Sequence, residues 1–184
     1  SLHAIHYEIH IDNIDFQAKT ITASTTVQLT ALTNAVATIN LELIRLTVTN
    51  VWLDDLPVPD FTQTDSLLII PLDSPLQPGD FVSVKVDYNG IPFHESWGGF
   101  HFSGEYAFNL GVGISTIPHN LGKSWFPCVD NFTDRATYDV FCTLPDGKTA
   151  VGSGLLAEVT DNGNGTNTWH WNLAQAVPTY LSSL

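Results

Sequence analysis

Apolar and polar side chains alternate along most of this chain. Ile5, Tyr7, Ile9 and Ile11 share one parity, and His6, Glu8, His10 and Asp12 the other. A period of two sustained over such a run marks a strand with one buried face. Ile21, Ala23, Val27 and Leu29 repeat it against Thr22, Ser24, Thr26 and Gln28, and Val82, Val84, Val86 and Tyr88 against Ser83, Lys85 and Asp87. Tyr138, Val140, Cys142 and Leu144 form a fourth row, and Trp169, Trp171 and Leu173 a fifth. Shorter candidates lie at Ile39–Leu43, Leu46–Leu53, Leu67–Leu72, Phe100–Phe102, Tyr106–Leu110 and Ala150–Gly152.

Turn residues separate the rows. Asp12-Asn13 closes the first, Pro57 to Asp60 follows the fourth strand, and Gln77-Pro78-Gly79-Asp80 reads as a tight turn between two strands. Pro145-Asp146-Gly147 and Asp161-Asn162-Gly163-Asn164-Gly165 read as hairpin-like connections. No window carries a helical period capped at both ends. The pattern predicts an all-β chain of about ten to twelve short strands, forming one domain over residues 1–184. The stretch from Asn89 to Asn131 breaks the rhythm and is rich in Gly, Pro and aromatic residues. Ordering so long an insertion costs entropy that a function or an interface offsets.

Charge narrows the choice of partners. The 184 residues hold 6 Lys+Arg against 19 Asp+Glu, a net charge of -13. So few cations cannot track a phosphate backbone, so nucleic acid is not an expected partner. No apolar run reaches the ~18–20 residues of a membrane helix, so membrane insertion is not expected either. The scarcity of lysine and a surface rich in Thr and Asn point to a place outside the cytoplasm. Cys128 and Cys142, 14 residues apart, form no zinc ribbon or redox CxxC. They read either as buried thiols or as a disulfide across neighbouring strands.

Several candidate chemistries fail on spacing. His6 and His10 stand ~13 Å apart along a strand and cannot share one ion. His94-Glu95-Ser96-Trp97-Gly98 opens like a zincin helix, but Gly98 replaces the second histidine and Gly98-Gly99 would break that helix. Gly152-Ser153-Gly154 lacks the spacing of a serine-nucleophile elbow. The 19 acids are explained by a solvated surface as well as by a glycosidase pair. No metal ligand set and no catalytic residue is therefore assigned in this chain.

The most informative segment is Lys123-Ser124-Trp125-Phe126-Pro127-Cys128-Val129-Asp130-Asn131, continuing to Arg135 and Tyr138. Trp125 and Phe126 are large apolar anchors, and Pro127 fixes the backbone after them. Asp130 and Asn131 suit an Asx-type turn, and Arg135 is close enough in sequence to pair with Asp130 or Asp134. The segment reads as a rigid corner leading into a strand.

W-F-P-C-x-D followed by a cation and a strand resembles the N-terminal domain of M1-family zinc aminopeptidases. The order of the remaining motifs is similar to that family: His6-Tyr7-Glu8-Ile9-His10-Ile11, Ile39 to Val48, Val86-Asp87-Tyr88-Asn89-Gly90-Ile91-Pro92, Thr168-Trp169-His170-Trp171 and Pro178-Thr179-Tyr180-Leu181-Ser182. The resemblance covers essentially the whole chain. It implies a saddle-like, multi-sheet β domain that precedes a catalytic domain carrying the zinc, and Leu184 falls about where that domain begins. It also implies a downstream catalytic domain and a peptide substrate as partners, and a fragment that is inactive alone. The loop upstream of the W-F-P-C motif approaches the substrate's amino end in that family, often with a Gln or Glu. Here it reads Asn109-Leu110-Gly111-Val112-Gly113, so Asn109, Gly111, Val112 and Gly113 are the pocket candidates. Two other readings stay open: an M1-like assembly scaffold without catalysis, and an extracellular sandwich binding glycans or proteins through Trp97, Phe100 and Phe102.

Overall fold

Rows of β-branched and aromatic residues with one apolar side become strands because only pairing into sheets buries that side while satisfying every backbone group. The computed structural model describes residues 1–184. Thirteen strands follow one another: β1 Leu2–Asp15, β2 Thr20–Ala31, β3 Val36–Glu42, β4 Thr47–Leu53, β5 Leu56–Pro57, β6 Thr62–Gln63 and β7 Leu67–Leu76, then β8 Phe81–Gly90, β9 Gly99–Ser103, β10 Tyr106–Leu110, β11 Ala136–Pro145, β12 Leu155–Asp161 and β13 Thr166–Val177. They form an eight-stranded sheet in the order β12-β13-β11-β1-β2-β8-β4-β5, a three-stranded sheet β3-β7-β6, and the hairpin β10-β9. Two 3-10 turns, Gly122–Ser124 and Thr179–Leu181, complete the regular structure. The all-β, multi-sheet expectation is met, with one strand more than the upper count because β5 and β6 are two-residue pairings.

Three local expectations change. β1 does not end at Asp12-Asn13 but runs on to Asp15, with a register shift against β2 between Ile11 and Asn13. This bulge advances the parity by one and returns Ile14 to the core. Ala150–Gly152 is not a strand. The strand that follows is β12, which is exposed at every residue and so leaves no alternation to read. Pro145-Asp146-Gly147 does not join a hairpin, because β13 lies between β11 and β12. Asp161 to Gly165 does connect an antiparallel pair. Gln77 to Asp80 is a tight turn, closed by Asp80 N–H to the Gln77 carbonyl at 2.9 Å, but it links strands of different sheets.

The centre of the large sheet is a parallel pair, β1 on β11, with Tyr7 opposite Tyr138, Ile9 opposite Val140 and Ile11 opposite Cys142. Parallel neighbours require a long crossover, here everything from Phe16 to Arg135. Against this pair sits the W-F-P-C segment. Trp125 and Phe126 are fully buried, Phe126 meets Tyr7 edge-on at 5.4 Å, and Tyr7 stacks on Tyr138 at 5.2 Å. The Tyr7 hydroxyl accepts the Val129 N–H at 3.0 Å.

Tyr7→Phe keeps the ring packing and removes that acceptor, stranding a buried-side N–H. Urea unfolding should show a loss of ~1–3 kcal/mol with an unchanged m-value. An unaltered midpoint would show that the hydroxyl does not hold the segment.

Candidate functional site

From Leu121 to Cys128 every residue is buried, which brings a charge into the interior. Lys123 Nζ lies 3.4 Å from Asp130 Oδ2 and 3.7 Å from Glu42 Oε1 on β3. The Lys123 ammonium stem and the Asp130 carboxylate are almost wholly shielded, whereas Glu42 reaches the surface. Asp130 also accepts the Thr179 hydroxyl from the chain's end and the Lys123 N–H at 3.3 Å, while its own N–H donates to Glu42 Oε2 at 3.1 Å. Burial, and then the charge of Asp130, raise the Glu42 carboxyl above its ordinary value, with Lys123 opposing both. Glu42 and Cys128 exchange backbone hydrogen bonds at 2.8 and 3.0 Å, so the segment extends the three-stranded sheet at β3. The partner of Asp130 is thus Lys123, not Arg135. Asp134 instead binds the His3 ring and the Ala4 N–H, and Arg135 stays exposed. At the corner itself, Asn131 Oδ1 accepts the Thr133 and Asp134 N–H groups, an Asx-type turn.

Upstream of the motif the chain makes a finger. Leu121 N–H bonds the Gly111 carbonyl at 2.7 Å and Gly113 N–H bonds the His119 carbonyl at 2.6 Å, with Val112 and Asn120 bridged between them. The tip is Ile114 to Pro118, and Ile114 and Ile117 are exposed. Of the pocket candidates, Val112 is 40% exposed on the finger's side. Asn109 is turned inward: its Nδ2 donates to the Ser182 carbonyl at 3.1 Å and its Oδ1 accepts Leu184 N–H at 2.7 Å. Gly111 is required by close approach, since a Cβ there would run into the Tyr180 carbonyl. A Cβ on Gly113 would sit 2.9 Å from Leu121 Cδ1 and 3.0 Å from Glu95 Oε1.

Glu95 is the residue that sequence reasoning passed over. It holds the tip, accepting the N–H groups of Ile114, Ser115 (3.0 Å) and Thr116 (2.7 Å) and the Thr116 hydroxyl (2.7 Å). The Ile114 N–H above all, against some desolvation, together with the Thr116 hydroxyl and the other N–H groups, brings its carboxyl down from 4.5 to about 2. Its only signal in the sequence is the His94-Glu95 pair, which spacing excluded as a metal motif. Carboxylates that bind backbone N–H groups leave no residue-type trace at their partners. His94 lies in an extended bridge with Gly99, not on a helix.

The side chains present do not fit a zinc site. His10 pairs with Glu8 at 2.8 Å and stacks on Phe141. His6 bonds Thr137 Oγ1 at 2.8 Å, and His170 Nε2–H donates to Asp139 Oδ1 at 2.6 Å. Burial opposes ionisation of Asp139, but hydrogen bonds from Asn172 and His170 and the nearby His170 and His6 outweigh it and hold its carboxyl below the ordinary value. His6 and His170 both face Asp139, but no group of three or more His, Cys, Asp and Glu side chains is arranged to hold a metal ion. Cys128 and Cys142 are free and buried. Burial, then the charges of Asp130 and Glu42, push the Cys128 thiol up, and burial alone pushes Cys142 up to about 12. The aromatic platform is not formed: Phe100 is fully buried and Phe102 packs on Phe16 and Phe100, leaving Trp97 alone exposed.

The W-F-P-C-x-D segment thus joins the eight-stranded sheet to the three-stranded one, with the finger projecting upstream of it. The chain belongs to the family described as the peptidase M1 N-terminal domain, which it matches over residues 3–181. It is 26% identical over 183 residues to leucine aminopeptidase 2 of Vanderwaltozyma polyspora, covering 96% of this chain and 27% of that protein. It is 27% identical over 110 residues to transcription initiation factor TFIID subunit 2 of Drosophila melanogaster, covering 55% of this chain and 9% of that protein. The M1 zinc metallopeptidase of Deinococcus radiodurans superposes with a TM-score of 0.88 at 24% identity, over 99% of this chain and 41% of that one. The chain therefore spans well under half of each of these relatives.

Two outcomes follow from this geometry. Lys123→Met leaves Asp130 buried and unpaired, which should cost ~3–5 kcal/mol in chemical denaturation; a loss below ~1 kcal/mol would refute the buried pair. Because the Glu95 carboxyl is lower in the folded chain, its hold on the tip is complete above pH 4.5 and fades as pH falls through about 2. Amide exchange, corrected for its intrinsic pH dependence, should show Ile114 to Thr116 still protected at pH 4, and loss of protection already at pH 4 would contradict the assignment.

Proposed function

We propose that this chain is the cleft-forming N-terminal domain of a zinc-dependent aminopeptidase that removes N-terminal residues from peptides. The reading is carried by the family match over residues 3–181 and supported by the likeness to a leucine aminopeptidase of which the chain spans 27%. Zinc, with its polarised water, belongs in this reading to a downstream catalytic domain, which packs against this one. Gly111, Val112 and Gly113 line the first substrate pocket, and Asn109 supports them from behind by binding the Ser182–Leu184 backbone. Trp125, Phe126, Pro127, Cys128 and Asp130 hold the finger's base at fixed height. The isolated domain hydrolyses nothing, having no ligand set with which to activate water.

A second reading, a scaffold for protein assembly, is favoured by the likeness to TFIID subunit 2. The two differ in whether the full-length polypeptide binds zinc and turns over aminoacyl substrates.

In the full-length polypeptide, Val112→Trp should fill the pocket and change the ranking of N-terminal residues accepted, measured as kcat/KM across a set of chromogenic aminoacyl amides. Unchanged ranking would remove Val112 from the pocket. Residues 1–184 supplied with zinc should show no turnover, and measurable hydrolysis would overturn the division of roles.

A further inference from the structure

We infer that Glu95 is a positioning residue for the substrate-facing finger, shaping the Gly111–Thr116 backbone without itself touching substrate; this rests on the reading of the finger as the wall of the first pocket. Its own backbone is tied to the buried frame. Phe93 N–H bonds the Ser124 carbonyl at 3.3 Å, Phe100 N–H bonds the Phe93 carbonyl at 2.9 Å, and Glu95 N–H bonds the Gly98 carbonyl at 2.9 Å. The side chain then bridges from this anchored turn to the tip, where three successive N–H groups and one hydroxyl converge on it.

Three adjacent N–H dipoles aimed at one point form a concavity that favours an anion. Without a carboxylate they repel one another and the tip opens. Backbone hydrogen bonds from Leu121 to Gly111 and from Gly113 to His119 close the finger below the tip, but they stop at Gly113, and Ile114 and Ile117 stand in solvent, so the tip itself gains no apolar burial. The carboxylate's lone pairs are taken up by these donors, so Glu95 is not available as the group that reads a substrate's free amine. Its effect on selectivity passes through the position of Val112 and Gly113, whose Cβ space lies 3.0 Å from Glu95 Oε1.

The test uses Glu95→Ala and Glu95→Gln. The glutamine keeps the length, but places an amide NH2 against N–H donors on one side. In residues 1–184, hydrogen exchange at Ile114, Ser115 and Thr116 should quicken by ~10-fold or more in Glu95→Ala, the ratio lost with one charge-assisted hydrogen bond. It should quicken by less in Glu95→Gln, while amides of β1 and β11 keep their rates. In the full-length polypeptide both variants should raise KM and reorder N-terminal residue preference more than they lower kcat. Unchanged exchange at the three amides overturns the anchor. Faster exchange with unchanged preference overturns the positioning role and reduces Glu95 to a structural clasp. If the unmodified full-length polypeptide has no aminopeptidase turnover, the functional reading fails, while the exchange arm still judges the anchor.

Discussion

An ammonium and a carboxylate sealed from water must stay together, because separating them leaves a bare charge in an apolar interior at a cost of several kcal/mol. Lys123 and Asp130 are that pair. They stand on either side of Trp125 to Cys128, so the segment between them cannot slide along the core without breaking their contact. Glu42 ties the pair to the small sheet and Thr179 ties it to the chain's end. Three stretches remote in sequence are thereby held in one register. The aromatic contacts of Phe126 with Trp125, Tyr7 and Tyr138 supply apolar burial, which is large but non-directional. The buried charges supply the direction.

The finger takes its position from this frame. Its base lies on the Leu121–Ser124 turn, Asn109 and Gly111 press it against the Ser182 and Tyr180 backbone, and Glu95 reaches across to its tip. Rigid support behind an exposed loop is how folded domains present recognition surfaces with sub-ångström repeatability. In the proposed enzyme the two needs are divided. In that proposal the metal centre requires three converging ligands, which this chain does not assemble, whereas the pocket wall assigned to the finger requires only shape.

Much of the fold was legible because one-sided sheets write their burial into the sequence. The rows at Tyr7–Ile11, Val82–Tyr88 and Tyr138–Leu144 all became strands with those residues inside, whereas Ile5 is only half-buried, because a register shift between Ala4 and His6 turns Ala4 to the core in its place. β12 was not legible, since a strand wet on both faces has no parity. The pairing of β1 with β11 was not legible either, because parallel neighbours carry no shared turn. At the site, the W-F-P-C motif announced a buried corner, but the charge partner of Asp130 was misjudged. Arg135 is near in sequence, whereas the interior selects the lysine already enclosed by the same segment. Asn109 was named a pocket candidate through the family resemblance of the loop it leads into; the structure adds that its amide answers backbone groups more than seventy residues later.

Local physical chemistry, acting within a few residues, was enough to dictate the one-sided strands, the turns at Gln77–Asp80 and Asp161–Gly165, and the ordered set of motifs that marks the family. Which strands lie side by side, which lysine meets Asp130 and which carboxylate gathers the N–H groups of Ile114 to Thr116 were decided by the tertiary structure. The reason is that these contacts join a side chain to a backbone or a charge far along the chain. Only the folded arrangement, by excluding water, makes one such partner better than all the others.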